Sequence, residues 1–298
     1  LDLIAAISTI AAVIAPVFII ATVGVVWGRR GLPFDNTFVS LFILAVSSPC
    51  LVFTALTHTG ASVGQLTQLG LAVAACIAGN TIFGFLIAAA LKLPRTTYVP
   101  CFAFPNSGNL GFPVAMFAFG DGAIAFAAVF FTVCSLIQFS LGPALATGRV
   151  KLGELVRTPL LYAVVLSMVV VGFSISVPSW IANTSKLLGD CSIPLMLIAL
   201  GVALAKIPVS RRNMAKFVGL SLVRCAMGVV VAYGVCWMLD LEGIQRAVLI
   251  QQNSMPIAVF NYMWALRYDS DPESVAGMVV ASTGLSLITV PVVLWFLM

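Results

Sequence analysis

Apolar residues run through the chain in ten long blocks, at about 3–27, 36–57, 66–91, 97–119, 122–146, 159–176, 181–205, 213–239, 244–266 and 274–297. Most hold on the order of 20 residues, the length a helix needs to cross the hydrocarbon core of a bilayer. Hydrocarbon offers no partner to an open backbone, so blocks of this kind fold as helices that satisfy their own N–H and C=O groups. The pattern predicts an all-α polytopic membrane protein with ten transmembrane helices. Polar residues collect in short gaps that leave no room for a soluble domain, so 1–298 is expected to be a single transmembrane domain. The first block is too long for the apolar part of a secretory signal and lacks a basic start.

Two blocks are interrupted near their middles. The fourth carries Pro105-Asn-Ser-Gly-Asn-Leu-Gly-Phe-Pro113, and the ninth carries Gln251-Gln-Asn-Ser-Met-Pro256. A helix broken inside a membrane is tolerated where the freed backbone faces protein or a watery cavity, and paired interruptions of this kind point to a carrier's binding site. In block four, Gly108 and Gly111 are expected to supply backbone freedom, and Pro105 and Pro113 to remove amide donors. Asn106, Ser107 and Asn109 add polar side chains. The half-helix after the break presents unpaired N–H groups and a positive dipole end, which suits an anion such as a carboxylate. Gln251, Gln252, Asn253 and Pro256 make a matching end in block nine. The plainer alternative is a pair of proline-kinked helices whose asparagines satisfy backbone. Ser48, beside Pro49 in block two, and Ser192, beside Pro194 in block seven, either flank the site or re-pair carbonyls freed by the prolines.

The prolines also suggest an internal repeat. Pro33 and Pro49 recur as Pro178 and Pro194, 145 residues on, and Pro113 recurs as Pro256, 143 residues on. Five blocks per half is an odd number, so the second half inserts upside down. The predicted architecture is two inverted five-helix repeats, about 1–146 and 159–298, with broken crossover helices four and nine.

Composition narrows the function. Hydrophobic residues make up 61% of the chain and charged residues 8%, against roughly 45–50% and about 25% in soluble domains. The net charge of +5 sits between the blocks and forms no nucleic-acid-binding face. Twelve of the fifteen Lys and Arg residues fall in or beside the odd-numbered gaps, from Arg29 and Arg30 in the first to Arg267 in the ninth. The positive-inside rule then places odd-numbered loops in the cytoplasm and both termini outside. An integral plasma membrane protein is expected, in a bacterial inner membrane. Inside the blocks, Arg224, Asp190 and Asn80 are the candidates for coupling to a proton or sodium ion. Arg224 is a partner for a substrate carboxylate or for Asp190, or else a structural arginine that reaches backbone carbonyls or snorkels, and Lys186 competes for Asp190 at helical spacing. The seven cysteines contain no CxxC pair and read as small buried hydrophobes. No second aspartate completes an intramembrane protease dyad with Asp190. Ser107 has no histidine partner within a block, and no metal-ligand motif occurs. The chain is therefore read as no enzyme, with no cofactor and no metal.

The span-four motif Asn106-Ser-Gly-Asn109-Leu-Gly111-Phe-Pro113, the run from Ser192 to Leu204, and the segment Ala281 to Pro291 resemble the auxin efflux carrier family. That family includes the plant PIN-type carriers and bacterial carriers of malonate or malate. The resemblance covers essentially the whole chain. It implies a ten-helix fold shared with bile-acid carriers, spans four and nine crossing at the midplane, a homodimer and elevator-type alternating access. The plant carriers place a long hydrophilic loop between their halves. Here only about Thr147 to Thr158 stands there, as in a short microbial member. The expected function is secondary transport of a small organic anion, such as a mono- or dicarboxylate or an auxin-like acid. The alternatives are a cation-coupled bile-acid-type symporter and a membrane receptor or sensor with a carrier-like fold.

Overall fold

A computed structural model describes residues 3–58, 61–147, 159–207 and 213–298. The segment expected to join the halves, at 148–158, lies outside the described residues, and with it Arg149, Lys151 and Arg157. Arg211 and Arg212 lie outside them as well. Among the described residues the secondary structure is helical, and one isolated antiparallel bridge is present.

The first half contains α1 (Leu3–Arg29), α2 (Asn36–Phe42), α3 (Ser48–Thr57), α4 (Val63–Ala90), α5 (Arg95–Ala103), α6 (Phe112–Phe119) and α7 (Asp121–Thr147). π-helical turns at Ile43–Ser47 and Ser107–Gly111 lead into α3 and α6. The second half contains α8 (Pro159–Gly172), α9 (Ser179–Asp190), α10 (Ser192–Lys206), α11 (Met214–Met238), α12 (Gly243–Asn253), α13 (Phe260–Tyr268) and α14 (Pro272–Leu297).

Seven helical stretches among the described residues are long and apolar enough to cross a membrane. They correspond to predicted blocks one, two, three, five, seven, eight and ten. Block six gives the shorter α8, of 14 residues. Blocks four and nine give no continuous span, because each is split into two half-helices, α5 with α6 and α12 with α13.

Local chemistry places several helix starts. The Asp35 carboxylate accepts the N–H groups of Thr37 and Phe38 at 2.9 and 3.0 Å to open α2. Ser62 and Gln65 form a reciprocal capping box at the start of α4. Asp271 accepts from Ser274 N–H at 3.1 Å to open α14. Such caps are worth about 1 kcal/mol each.

Packing carries the rest. Helix α1 lies along α10, where Gly24 and Gly28 of α1 meet Gly201 and Ala205 of α10. A methyl group on Gly24 would strike the Ile198 carbonyl, so the small residues set this close approach. Helix α3 packs on α8 and α9, α4 on α5 and α7, and α11 on α12 and α14. Helices α5, α6, α7 and α12 carry long runs of buried residues, while Trp237, Phe296, Ile288 and Phe173 point outward. An apolar exterior of that kind suits hydrocarbon rather than water. Of the cysteines expected to be buried, Cys76, Cys101, Cys134 and Cys236 are; Cys50 and Cys225 are half-buried and Cys191, at the α9–α10 junction, is exposed.

Candidate substrate site at the helix crossover

The two interruptions meet. Pro105 and Ile257 form the antiparallel bridge. Asn106 N–H donates to the Pro256 carbonyl at 2.7 Å, and Ala258 N–H donates to the Phe104 carbonyl at 3.1 Å. Each unwound segment thus satisfies part of the backbone that the other leaves open, which is what an intramembrane break requires. Ile257 N–H, left over by the bridge, donates to Ser282 Oγ of α14 at 3.1 Å. Asn261 Nδ2 donates to the Pro100 carbonyl at 3.0 Å and ties the start of α13 to α5.

The two prolines at offset 143 sit differently at the meeting point. Pro256 belongs to the unwound segment, whereas Pro113 lies in the first turn of α6. The residue opposite Ile257 is Pro105, so the two prolines at offset 143 do not occupy equivalent places. The glycines are also used differently from expectation. Gly111 is helical at φ −62 and ψ −48, and Gly108 is absent from the positive-φ residues of the described chain. What they provide is space: a methyl group on Gly108 would stand 2.7 Å from the Phe131 ring, and one on Gly111 would strike the Gln252 side-chain oxygen.

On one side of the bridge lies a cavity of about 30 Å³. Its polar wall is Asn106, Ser107 and Asn109 from span four with Ser135 and Gln138 from α7. Its apolar wall is Leu44, Phe131, Phe139, Ala258 and Phe260. Asn106 precedes the π-helical turn without a side-chain capping bond, and its Nδ2 is buried with no partner. The Gly111 N–H reaches back to the Asn106 carbonyl at 2.9 Å, so the N–H groups of Gly108 and Asn109 have no acceptor within their own helix by position. Gln138 Nε2 donates weakly to Asn261 Oδ1 at 3.4 Å. The cavity is therefore bordered by donor-bearing residues: Asn106, whose buried amide is unpartnered, and the first residues of a half-helix whose N-terminal end is positive. A volume of this size holds one or two waters, or a group the size of a carboxylate head.

The span-nine residues lie apart from this lining. Gln251, Gln252 and Asn253 are fully buried. Gln251 Nε2 donates to the Gly111 carbonyl at 3.2 Å, while the Gln252 amide is buried without a partner. Asn253 is held from three sides. Asn80 Nδ2 donates to its Oδ1 at 2.8 Å, its Nδ2 donates to the Gly228 carbonyl at 2.8 Å, and Arg224 Nη1 donates to its backbone carbonyl at 3.0 Å. Asn80 and Arg224, separated by 144 residues in sequence, thus converge on the end of α12. Asn80 Nδ2 also lies 3.5 Å from the Ala103 carbonyl at the end of α5.

Other expected site residues fall elsewhere. Ser48, Ser47 and Ser192 are buried, and their hydroxyls have no partner, so they do not re-pair proline-freed carbonyls. Asp190 and Lys186 form an ion pair at 2.7 Å with both side chains more than half exposed. Arg224, at 1% exposure, is the largest fully buried side chain and does not reach Asp190. The structure adds residues that the sequence did not single out, Phe131, Ser135, Gln138 and Phe139 of α7 and Phe260 of α13, and gives a role to Ser282 of α14, which lies in the segment Ala281 to Pro291. A signal for the first group was present, since Thr132, Ser135 and Gln138 repeat every third residue through an otherwise apolar block and mark one helix face.

Residues 144–294 match the family described as membrane transport protein. The chain is similar to an uncharacterized transporter of Methanocaldococcus jannaschii, with 27% identity over 206 residues, 65% of each chain. This match spans slightly less than two thirds of that relative's length. It is also similar to an uncharacterized transporter of Methanothermobacter thermautotrophicus, with 27% identity over 274 residues, 88% of each chain.

Proposed function

The chain belongs to the membrane transport protein family, the auxin efflux carrier family of the sequence resemblance, and we propose that it is a secondary carrier for a small organic anion. One observation supports this most: a cavity at the crossing of two broken helices, lined by an unpartnered buried amide and the N–H end of a half-helix. Asn106, Ser107, Gly108 and Asn109 receive the carboxylate. Phe131, Phe139 and Phe260 receive the apolar body of the acid once the cavity widens, since its volume of about 30 Å³ here admits the carboxylate head alone. Gln251 on Gly111, Pro256 on Asn106 and Asn253 on its neighbours hold the half-helices in place behind this pocket, with Gln252 packed against Gly111 and Pro113 opening α6. A mono- or dicarboxylate, or an auxin-like acid, fits that chemistry.

The finer architecture belongs to the same proposal. Ten membrane crossings arise from the seven long helices, the short α8 and the two broken pairs. The halves are inverted repeats, and the packing supports this reading. Helix α1 on α10 is matched by α8 on α3, α4 on α5 by α11 on α12, and α4 on α7 by α11 on α14. Alternating access proceeds by an elevator-type motion that opens the cavity to either side, with two chains forming a homodimer in the plasma membrane. Both termini lie outside. A cysteine at Gly153, on a cysteine-free background, then stays unlabelled by an impermeant reagent in intact cells; labelling reverses the orientation.

The transport reading is tested on purified protein by a thermal-shift panel of carboxylic acids, followed by uptake of the best labelled acid into proteoliposomes. Stabilisation by acids but not by their amides, with saturable uptake, is the expected outcome. Stabilisation without flux would make the protein a sensor built on a carrier fold, and no response to any acid would remove the anion.

A further inference from the structure

The end of α12 is a place where a membrane carrier commonly needs a cation. A helix that stops inside the membrane leaves its last carbonyls open and carries about half a negative charge there. In carriers with discontinuous helices, such C-terminal ends and unwound carbonyls coordinate the coupling ion. Here a side chain is already in that position. Arg224 Nη1 lies 3.0 Å from the carbonyl of Asn253, the last residue of α12. Gly228, one turn further along α11, leaves the room: a methyl group there would stand 2.6 Å from Arg224 Nη1 and would also strike the Asn253 carbonyl. The Gly228 carbonyl in turn accepts from Asn253 Nδ2, and Asn80 completes the clasp. The corresponding end of α5 is met by the neutral amide of Asn80, so the two halves are treated differently.

Two further facts bear on the charge. Arg224 is 1% exposed, yet its Nε and Nη2 have no hydrogen-bond partner. Among the described residues the ion pair is Lys186 with Asp190, far from burial, and the other described carboxylates (Asp35, Asp121, Asp240, Glu242, Asp269, Asp271 and Glu273) sit at or beside helix ends. The cation is thus only partly compensated, by a helix dipole and one carbonyl. A buried charge in that state favours an arriving anion.

We infer that Arg224 is a resident cation: it occupies the end of α12 in place of a coupling ion and balances the charge of the bound anion, so the carrier takes its substrate without sodium or potassium. This rests on the carrier reading above and deepens it, because it assigns the counter-charge of the site to the protein itself. It also replaces the role of Arg224 as a partner for Asp190.

The experiment measures equilibrium binding of the best carboxylate from the panel to purified protein in sodium, potassium or choline chloride at equal ionic strength. Wild type is expected to bind equally, within about twofold, in all three. Arg224→Ala is expected to lose about tenfold, the effect of removing a partly compensated buried cation that acts on the anion through its field rather than by contact. Millimolar guanidinium should restore part of that loss. A sodium requirement in wild type, or wild-type affinity of Arg224→Ala in choline, overturns the inference. Where Arg224→Ala fails to fold, Arg224→Lys and Arg224→Gln decide: Lys retaining binding while Gln loses it supports a charge role, and the reverse overturns it. A wild-type protein that binds no acid sinks the carrier reading instead. The resident cation is then judged from unfolding alone, as a guanidinium-dependent rise in the melting temperature of Arg224→Ala, whose absence overturns it.

Discussion

Replacing Asn106 by alanine should weaken anion binding while leaving the empty protein about as stable as before. The backbone of Asn106 makes the bridge bond to Pro256 and accepts from Gly111, and alanine keeps both. The side chain makes no capping bond, and its Nδ2 is buried and unpaired. Burying an unsatisfied amide costs about 1–3 kcal/mol, so its removal returns that amount. Against this stands the lost packing of a few side-chain atoms, roughly 1–2 kcal/mol, reduced because the site already borders a cavity. The two nearly cancel, and the stability of the empty protein should move by less than about 1 kcal/mol. With a carboxylate bound, the amide donates to a charged acceptor worth about 1.5–3 kcal/mol, so affinity should fall by about one to two decades. A neutral amide analogue of the same acid should lose much less. The assays are thermal unfolding of monodisperse protein without ligand and calorimetric titration with the acid and its amide. A variant that is destabilised by more than about 2 kcal/mol when empty, yet binds the acid as wild type does, would refute the reasoning and make Asn106 a structural hinge residue.

Three further outcomes follow from the same geometry. Ser282→Ala removes the acceptor of Ile257 N–H and strands a donor at the crossing, which should cost about 1–3 kcal/mol in unfolding; Ser282→Thr should recover most of it. Gly24→Leu forces α1 off the Ile198 carbonyl, and crosslinking between cysteines on α1 and α10 should drop sharply while α3–α8 crosslinking is unchanged. Asp190→Asn breaks an exposed pair with Lys186 and should cost under about 1 kcal/mol. Uptake driven by a pH gradient should persist in that variant; its loss would assign Asp190 a coupled proton.

The apolar blocks determined the helices of this protein because a bilayer leaves the backbone no other partner, and the rule is local enough to read residue by residue. The interruptions at 105–113 and 251–256 were legible for the same reason: a proline or a cluster of amides inside such a block has to be accommodated somewhere. Their use was decided only in three dimensions. The register of the crossing depends on which open carbonyl meets which N–H, so Pro105 faces Ile257, whereas the proline offset pairs Pro113 with Pro256. Gly108 and Gly111 carry the signature of flexible backbone, but Phe131 and Gln252 from other helices make them space-givers. Arg224 and Asn80 are, in sequence, two isolated polar residues in apolar helices. They share the end of α12 because the tertiary fold stacks α4, α11 and α12 together, and no local pattern records that contact. The far wall of the cavity, from α7 and α13, is set in the same way, by long-range packing among helices whose individual sequences say only that they are apolar.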